Sequence, residues 1–225
     1  DAGDGTPLLA TAQGLERVRD GRVVPVPGYD GPAFSLLREG GVLWIGGLNR
    51  VCRLDAGAGS SAMTCFRQDH ADGRPVPITH IAAAGGELWL GTSFGLKRLA
   101  GTRLVASGLD SVLDTTSIES LLTDRDGALW IGTVPALYRR RPDAVLERVS
   151  DDDLVHHPWV QVLFEDHAGS LWLGTHIGGL YRAWNGWMRN ISTRDGMTDS
   201  MVWSVARAPG GDIVFGTNSD VERFD

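Results

Sequence analysis

One motif, repeated at a nearly constant interval, constrains this chain of 225 residues more than any other feature. It reads G-G-V-L-W-I-G-G-L-N-R-V-C-R at 40–53, G-G-E-L-W-L-G-T-S-F-G-L-K-R at 85–98, D-G-A-L-W-I-G-T-V-P-A-L-Y-R at 126–139 and A-G-S-L-W-L-G-T-H-I-G-G-L-Y-R at 168–182. A weaker copy, G-G-D-I-V-F-G-T-N-S-D-V-E-R, occupies 210–223, and a degenerate one, T-P-L-L-A-T-A-Q-G-L-E-R, lies at 6–17. The equivalent positions Ala10, Gly46, Gly91, Gly132, Gly174 and Gly216 are 36, 45, 41, 42 and 42 residues apart. Such a period is too long for leucine-rich or ankyrin units and suits four short strands with their turns.

Each copy reads as strands. Short apolar stretches such as 118–122, 160–164 and 201–205 precede the motif and close in a Gly-containing turn, for example Asp124 to Gly127. The L-W-I/L-G-T stretch is apolar on both faces, as a strand sandwiched between neighbouring sheets must be. G-L-x-R makes a third strand, a more polar segment a fourth, and no stretch shows a 3.6-residue apolar period. Units like these bury their faces only against copies of themselves. The expected fold is therefore an all-β β-propeller of four-stranded antiparallel blades, about 42 residues each. Blades are predicted at 31–75, 76–116, 117–158 and 159–200, with partial blades at 1–30 and 201–225. The motif tryptophans Trp44, Trp89, Trp130 and Trp172 are read as packing between blades, and the motif glycines as points of close approach.

Composition excludes several classes. With 21 basic against 28 acidic residues the net charge is −7, so the clustered positive charge that holds a phosphate backbone is missing and no nucleic-acid partner is expected. No apolar run approaches the length of a membrane span, and no basic segment followed by an apolar one opens the chain; a soluble segment without membrane contact or signal peptide is expected. The two cysteines are too few for a disulfide scaffold and lack zinc-site spacing. Cys52 and Cys65 fall on adjacent strands of one blade, where antiparallel neighbours can come within bonding distance.

The units resemble the two-component regulator propeller repeat, an apolar strand followed by D-x-x-G-x-L-W-I-G-T and G-L-Y-R. Residues 124–139 and 166–182 carry the pattern nearly throughout, and it extends over almost the whole chain. Departures are Ala10 for Gly and the lost Trp in the opening copy, Val214 for Trp in the last, and Arg38-Glu39 and Ala83-Ala84 where the turn Asp would stand. The resemblance implies a seven-bladed propeller in the extracytoplasmic, periplasmic part of a bacterial receptor, ahead of a histidine kinase or diguanylate cyclase output. Several family members bind carbohydrate. Counting strands, the first and last copies each hold only part of a unit, so the 225 residues are expected to form an incomplete ring of a seven-bladed propeller, joined to the rest of the receptor chain and with open edges that favour a homodimer.

Function is expected in the loops leading into the innermost strands, at 28–32, 70–77, 108–117, 151–159 and 194–201, which vary while the strands repeat. Aligning the inner strands places Phe34, Thr79, Glu119, Gln161 and Trp203 at one equivalent position near the mouth. Two aromatics and three polar groups there could grip a small molecule or oligosaccharide, or could simply fill the central channel. His157 and Trp159 share a face of their loop, His176, Phe94 and Asn218 occupy equivalent loops after G-T, and Arg74 is one of two arginines in the inner-strand loops. The run Asp151-Asp152-Asp153 with His156 and His157 lacks metal-ligand spacing, and no cofactor or metal is predicted. Trp184 and Trp187 flank an Asn-Gly turn at the other end and are read as a stacked cross-strand pair in preference to a binding surface. The preferred function is a non-catalytic ligand sensor. A propeller lyase or sialidase-like enzyme and a protein-binding scaffold are the alternatives, and no catalytic residue is assigned.

Overall fold

The computed structural model describes residues 5–55, 63–67, 73–134, 136–149 and 159–224. The chain divides into two compact units, 1–115 and 116–225, and each is a succession of three antiparallel sheets. In the first unit, β1 (Leu8–Thr11), β2 (Gly14–Arg19) and β3 (Arg22–Pro25) form one sheet, and β4 (Ala33–Glu39), β5 (Val42–Gly47), β6 (Arg50–Asp55) and β7 (Thr64–Arg67) the next. Its third sheet is β8 (Ile78–Ala84), β9 (Glu87–Thr92), β10 (Gly95–Ala100) and β11 (Arg103–Ala106).

The second unit repeats the scheme with β12 (Ile118–Thr123), β13 (Leu129–Thr133), β14 (Leu137–Arg140) and β15 (Leu146–Arg148). It continues with β16 (Val160–Glu165), β17 (Leu171–Thr175), β18 (Leu180–Trp184) and β19 (Trp187–Ile191). The last sheet is β20 (Val202–Arg207), β21 (Ile213–Thr217) and β22 (Val221–Phe224). Among the described residues the fold is thus all-β, with six blades of three or four meandering strands. The incomplete seven-bladed ring expected above is corrected by this count: the six copies of the repeat supply six sheets.

Apolar residues fill the spaces between successive blades. In the first unit Ile45 and Leu15 lie in a cluster joining its first two sheets, and Trp44 packs on Val51, Ile78 and Leu90 toward the third. In the second, Trp130 packs against Leu163 and Leu173, and Trp172 against Val205, Ile213 and Phe215. Trp44, Trp130 and Trp172 therefore pack between blades. The motif glycines make room for a clamp: Ser35 Oγ donates to Ile78 O at 2.9 Å, and Ser120 Oγ to Val160 O at 2.9 Å, each reaching the next blade past Gly46 or Gly132. A Cβ on Gly132 would lie 2.2 Å from Ser120 Oγ and 2.7 Å from Val160 O.

Two roles within the repeat were invisible as chemistry in the sequence. The turn Asp orders the motif Trp: Asp124 Oδ2 accepts from Trp130 Nε1 at 2.8 Å and Asp166 Oδ2 from Trp172 Nε1 at 2.9 Å, while each Oδ1 accepts backbone N–H groups of the turn. The six-residue spacing from Asp to Trp was the signal available for it. The motif Thr staples the next loop, as Thr175 Oγ1 donates to Gly179 O and accepts from Gly178 N. Where the turn Asp is missing, at Glu39 and Ala84, strands close instead through two-residue Gly-Gly turns; Gly85 and Gly86 have φ of 62° and 76°, the pairing that a type I′ hairpin requires.

Candidate functional site

Inner strands of five blades carry the same irregularity. Pairing slips by one residue between 33 and 35, 78 and 80, 118 and 120, 160 and 162, and 202 and 204. The extra residue of each bulge is Phe34, Thr79, Glu119, Gln161 or Trp203, the set aligned from sequence. A bulge leaves one residue out of the ladder and re-aims its side chain, so these positions differ from their neighbours for a backbone reason.

In the second unit several of these residues meet. Trp159 leads into β16, His176 follows β17, and their rings stack at 4.0 Å between centroids with planes 26° apart. His176 N donates to Trp159 O at 3.0 Å, which ties the two loops together. Trp203 stands edge-on to His176 at 6.2 Å and is half exposed. Its Nε1 donates to Asn218 Oδ1 at 2.7 Å, and Asn218 Nδ2 approaches Met201 Sδ at 3.3 Å, so the loop after β21 braces the indole. Three buried polar atoms in these loops and at the bulge of β16 have no hydrogen-bond partner among the described residues: Trp159 Nε1, His176 Nδ1 and Gln161 Oε1. Buried polar groups are ordinarily satisfied, so a donor and an imidazole nitrogen left open on the stacked rings, with an open acceptor two residues along the chain from Trp159, mark a place where another molecule can complete the set.

Other candidates are placed differently. Glu119 is partly buried at the bulge of β12. Thr79, in the first unit, spends its hydroxyl on Gly91 O and on His80 Nδ1, the latter at 3.0 Å. Phe34, also in the first unit, is exposed, as is Arg74 on its loop. Phe94 N is held by Thr92 Oγ1. His157 and the aspartate run at 151–153 lie outside the described residues. Among the described residues no group of His, Cys, Asp or Glu is arranged to hold a metal ion.

At the opposite end of the second unit's strands lie its Asp-x-x-Gly turns and the Asn185-Gly186 hairpin. The stacking expected of Trp184 and Trp187 is absent. They close the β18–β19 hairpin as register partners, but Trp184 faces the Arg182 guanidinium 5.1 Å from its ring centroid, and Trp187 is 72% exposed. Cys52 and Cys65 are directly opposed on β6 and β7 and joined by a disulfide.

Comparison with known proteins accords with this architecture. Residues 112–134 match the family model described as two component regulator propeller. Among solved structures, the extracellular domain of BT4673 from B. thetaiotaomicron, described as a one component system, is 20% identical with a TM-score of 0.75, covering 97% of this chain and 31% of that one. A second structure of that domain, described there as part of a hybrid two component system, gives 21%, 0.73, 97% and 31%. Virginiamycin B lyase from Staphylococcus aureus is 14% identical with a TM-score of 0.66, covering 95% of this chain and 77% of that one. The chain thus spans about a third of the BT4673 domain. No curated protein matches the sequence.

Proposed function

We propose that this chain, whose residues 112–134 match the two component regulator propeller model, is the ligand-sensing propeller segment of an extracytoplasmic bacterial receptor. It performs no chemistry itself and takes a carbohydrate at the cluster of Trp159, His176 and Trp203. The observation that carries the reading is the combination of stacked rings with the open polar atoms of Trp159, His176 and Gln161. A sugar presents a C–H face that an indole covers and hydroxyls that both donate and accept, so it can satisfy both halves of such a site. The extracellular origin of the BT4673 domains supports the location, and no helix of the described residues is long and apolar enough to cross a membrane.

A propeller enzyme is the competing reading, supported by the likeness in fold to virginiamycin B lyase. One experiment separates them. The chain is screened against oligosaccharides by thermal shift, and every ligand found is incubated with it and analysed for products. Binding without turnover, lost on Trp159→Ala, is the expected result; product formation would sink the sensor reading, and undiminished binding by Trp159→Ala would move the site elsewhere.

A further inference from the structure

A groove of about 400 Å³ opens between the two four-stranded blades of the second unit, at the end of the strands away from the aromatic cluster. Its size lies within the range of small-molecule sites. The first unit has a groove of about 350 Å³ in the equivalent place, between the β4–β5 and β8–β9 turns, so the cleft as such belongs to the fold. What differs is the lining. In the first unit Trp44 is its one indole. In the second, Trp130 is joined by Trp184 and Trp187 from the β18–β19 hairpin, with Asp126, Arg139 and Asn185 as polar neighbours.

The repeat does not require these additional indoles. Among the hairpins that lead into the last strand of a blade, three close through two residues in the same register, and the pair is Arg19 with Arg22 in the first blade, Ala100 with Arg103 in the third, and Trp184 with Trp187 here. The Asn185-Gly186 turn, with φ of 47° and 78°, forms regardless of what flanks it. An indole 72% exposed at such a place buries little of its apolar face in this fold. Arg139 adds a second, independent sign. Its guanidinium lies 5.2 Å over the Trp130 ring, yet its Nε is buried with no partner among the described residues.

We infer that this inter-blade groove is a second binding site, for a short oligosaccharide whose C–H faces cover Trp187 and Trp184 while its hydroxyls meet Asp126, Arg139 and Asn185. The lining dictates the class. Flat aromatic surfaces next to a carboxylate, a guanidinium and an amide suit a ligand whose faces are apolar and whose rim both donates and accepts hydrogen bonds. The site does not rest on the reading of the Trp159 cluster, which lies at the other end of the strands.

The test probes the 225-residue chain with an array of neutral and acidic tetra- to hexasaccharides and measures affinity for each hit by calorimetry. At least one member is expected to bind. Measured in the Trp159→Ala/Trp203→Ala background, which silences the cluster at the other end of the strands, Trp187→Ala should weaken the remaining binding by roughly tenfold or more, and Asp126→Ala should weaken it as well. The melting temperature of Trp187→Ala should be unchanged because the side chain is exposed. If it falls, Trp187→Tyr, which keeps a flat ring, must retain binding. Failure of the whole array to bind in that background, or an affinity there that Trp187→Ala leaves unchanged, would overturn the proposal.

Discussion

Asp166 shows how much one side chain settles in a repeat of this kind. It is buried, and its carboxylate collects Trp172 Nε1 and the backbone N–H groups of Ala168 and Ser170. Burial by itself would raise the Asp166 carboxyl, but the hydrogen bonds from Trp172, Ser170 and Ala168 together outweigh it and hold it below the ordinary carboxylate range. A carboxyl with a depressed folded-state pKa adds stability that is complete above its unfolded value, near 4, and disappears as the pH falls through the lower folded value. Asp166→Asn keeps an acceptor for the turn but sets an amide N–H against the indole donor. It should cost about 1–2 kcal/mol at neutral pH, and denaturant titrations from pH 7 to pH 3 should show the variant losing less stability on acidification than the parent. An identical acid limb in both would exclude Asp166 as a contributor.

The blade, as an element, is defined by what crosses to its neighbour. The hydroxyl of Ser120 reaches Val160 O because Gly132 has no side chain, and Ser35 repeats this over Gly46. In the next pair the same space is filled by Val162 and Val202 around Gly174, so apolar contact replaces the hydrogen bond without changing the spacing. Gly132→Ala should destabilise the second unit by about 2–3 kcal/mol. Adding Ser120→Ala removes one clash but leaves the Val160 carbonyl at 2.7 Å, so the double variant should recover only part of the loss. Full recovery in thermal melts would show that the hydroxyl, not the backbone of the next blade, sets the limit. The bulge on each inner strand is the other property at this scale. Alignment named the five bulge residues, but the slip in pairing that sets them apart depends on register against the second strand, which one-dimensional spacing does not carry.

For the whole molecule, the disulfide bears on the setting in which the chain is stable. Cys52 and Cys65 are 13 residues apart in sequence, and a bridge closing a loop of that size contributes roughly 3 kcal/mol. Cys52→Ala/Cys65→Ala, or the parent in reductant, should unfold at correspondingly lower denaturant; equal midpoints with and without reductant would remove the argument for an oxidising compartment. The sequence by itself determined the all-β class, the blade period, the packing role of the motif tryptophans and the loops in which function was sought. It could do so because each follows from local spacing copied along the chain. Which loop residues converge was a different matter. Trp159, His176, Trp203 and Asn218 come from four separate segments, and only the packing of successive blades sets the rings 4.0 Å and 6.2 Å apart and leaves Gln161 and His176 with open polar atoms. The same packing decided against the stacked pair at Trp184 and Trp187. Cross-strand register brings their backbones together, but the Arg182 guanidinium takes the face of one ring and solvent the other, a choice made by side chains that spacing cannot order.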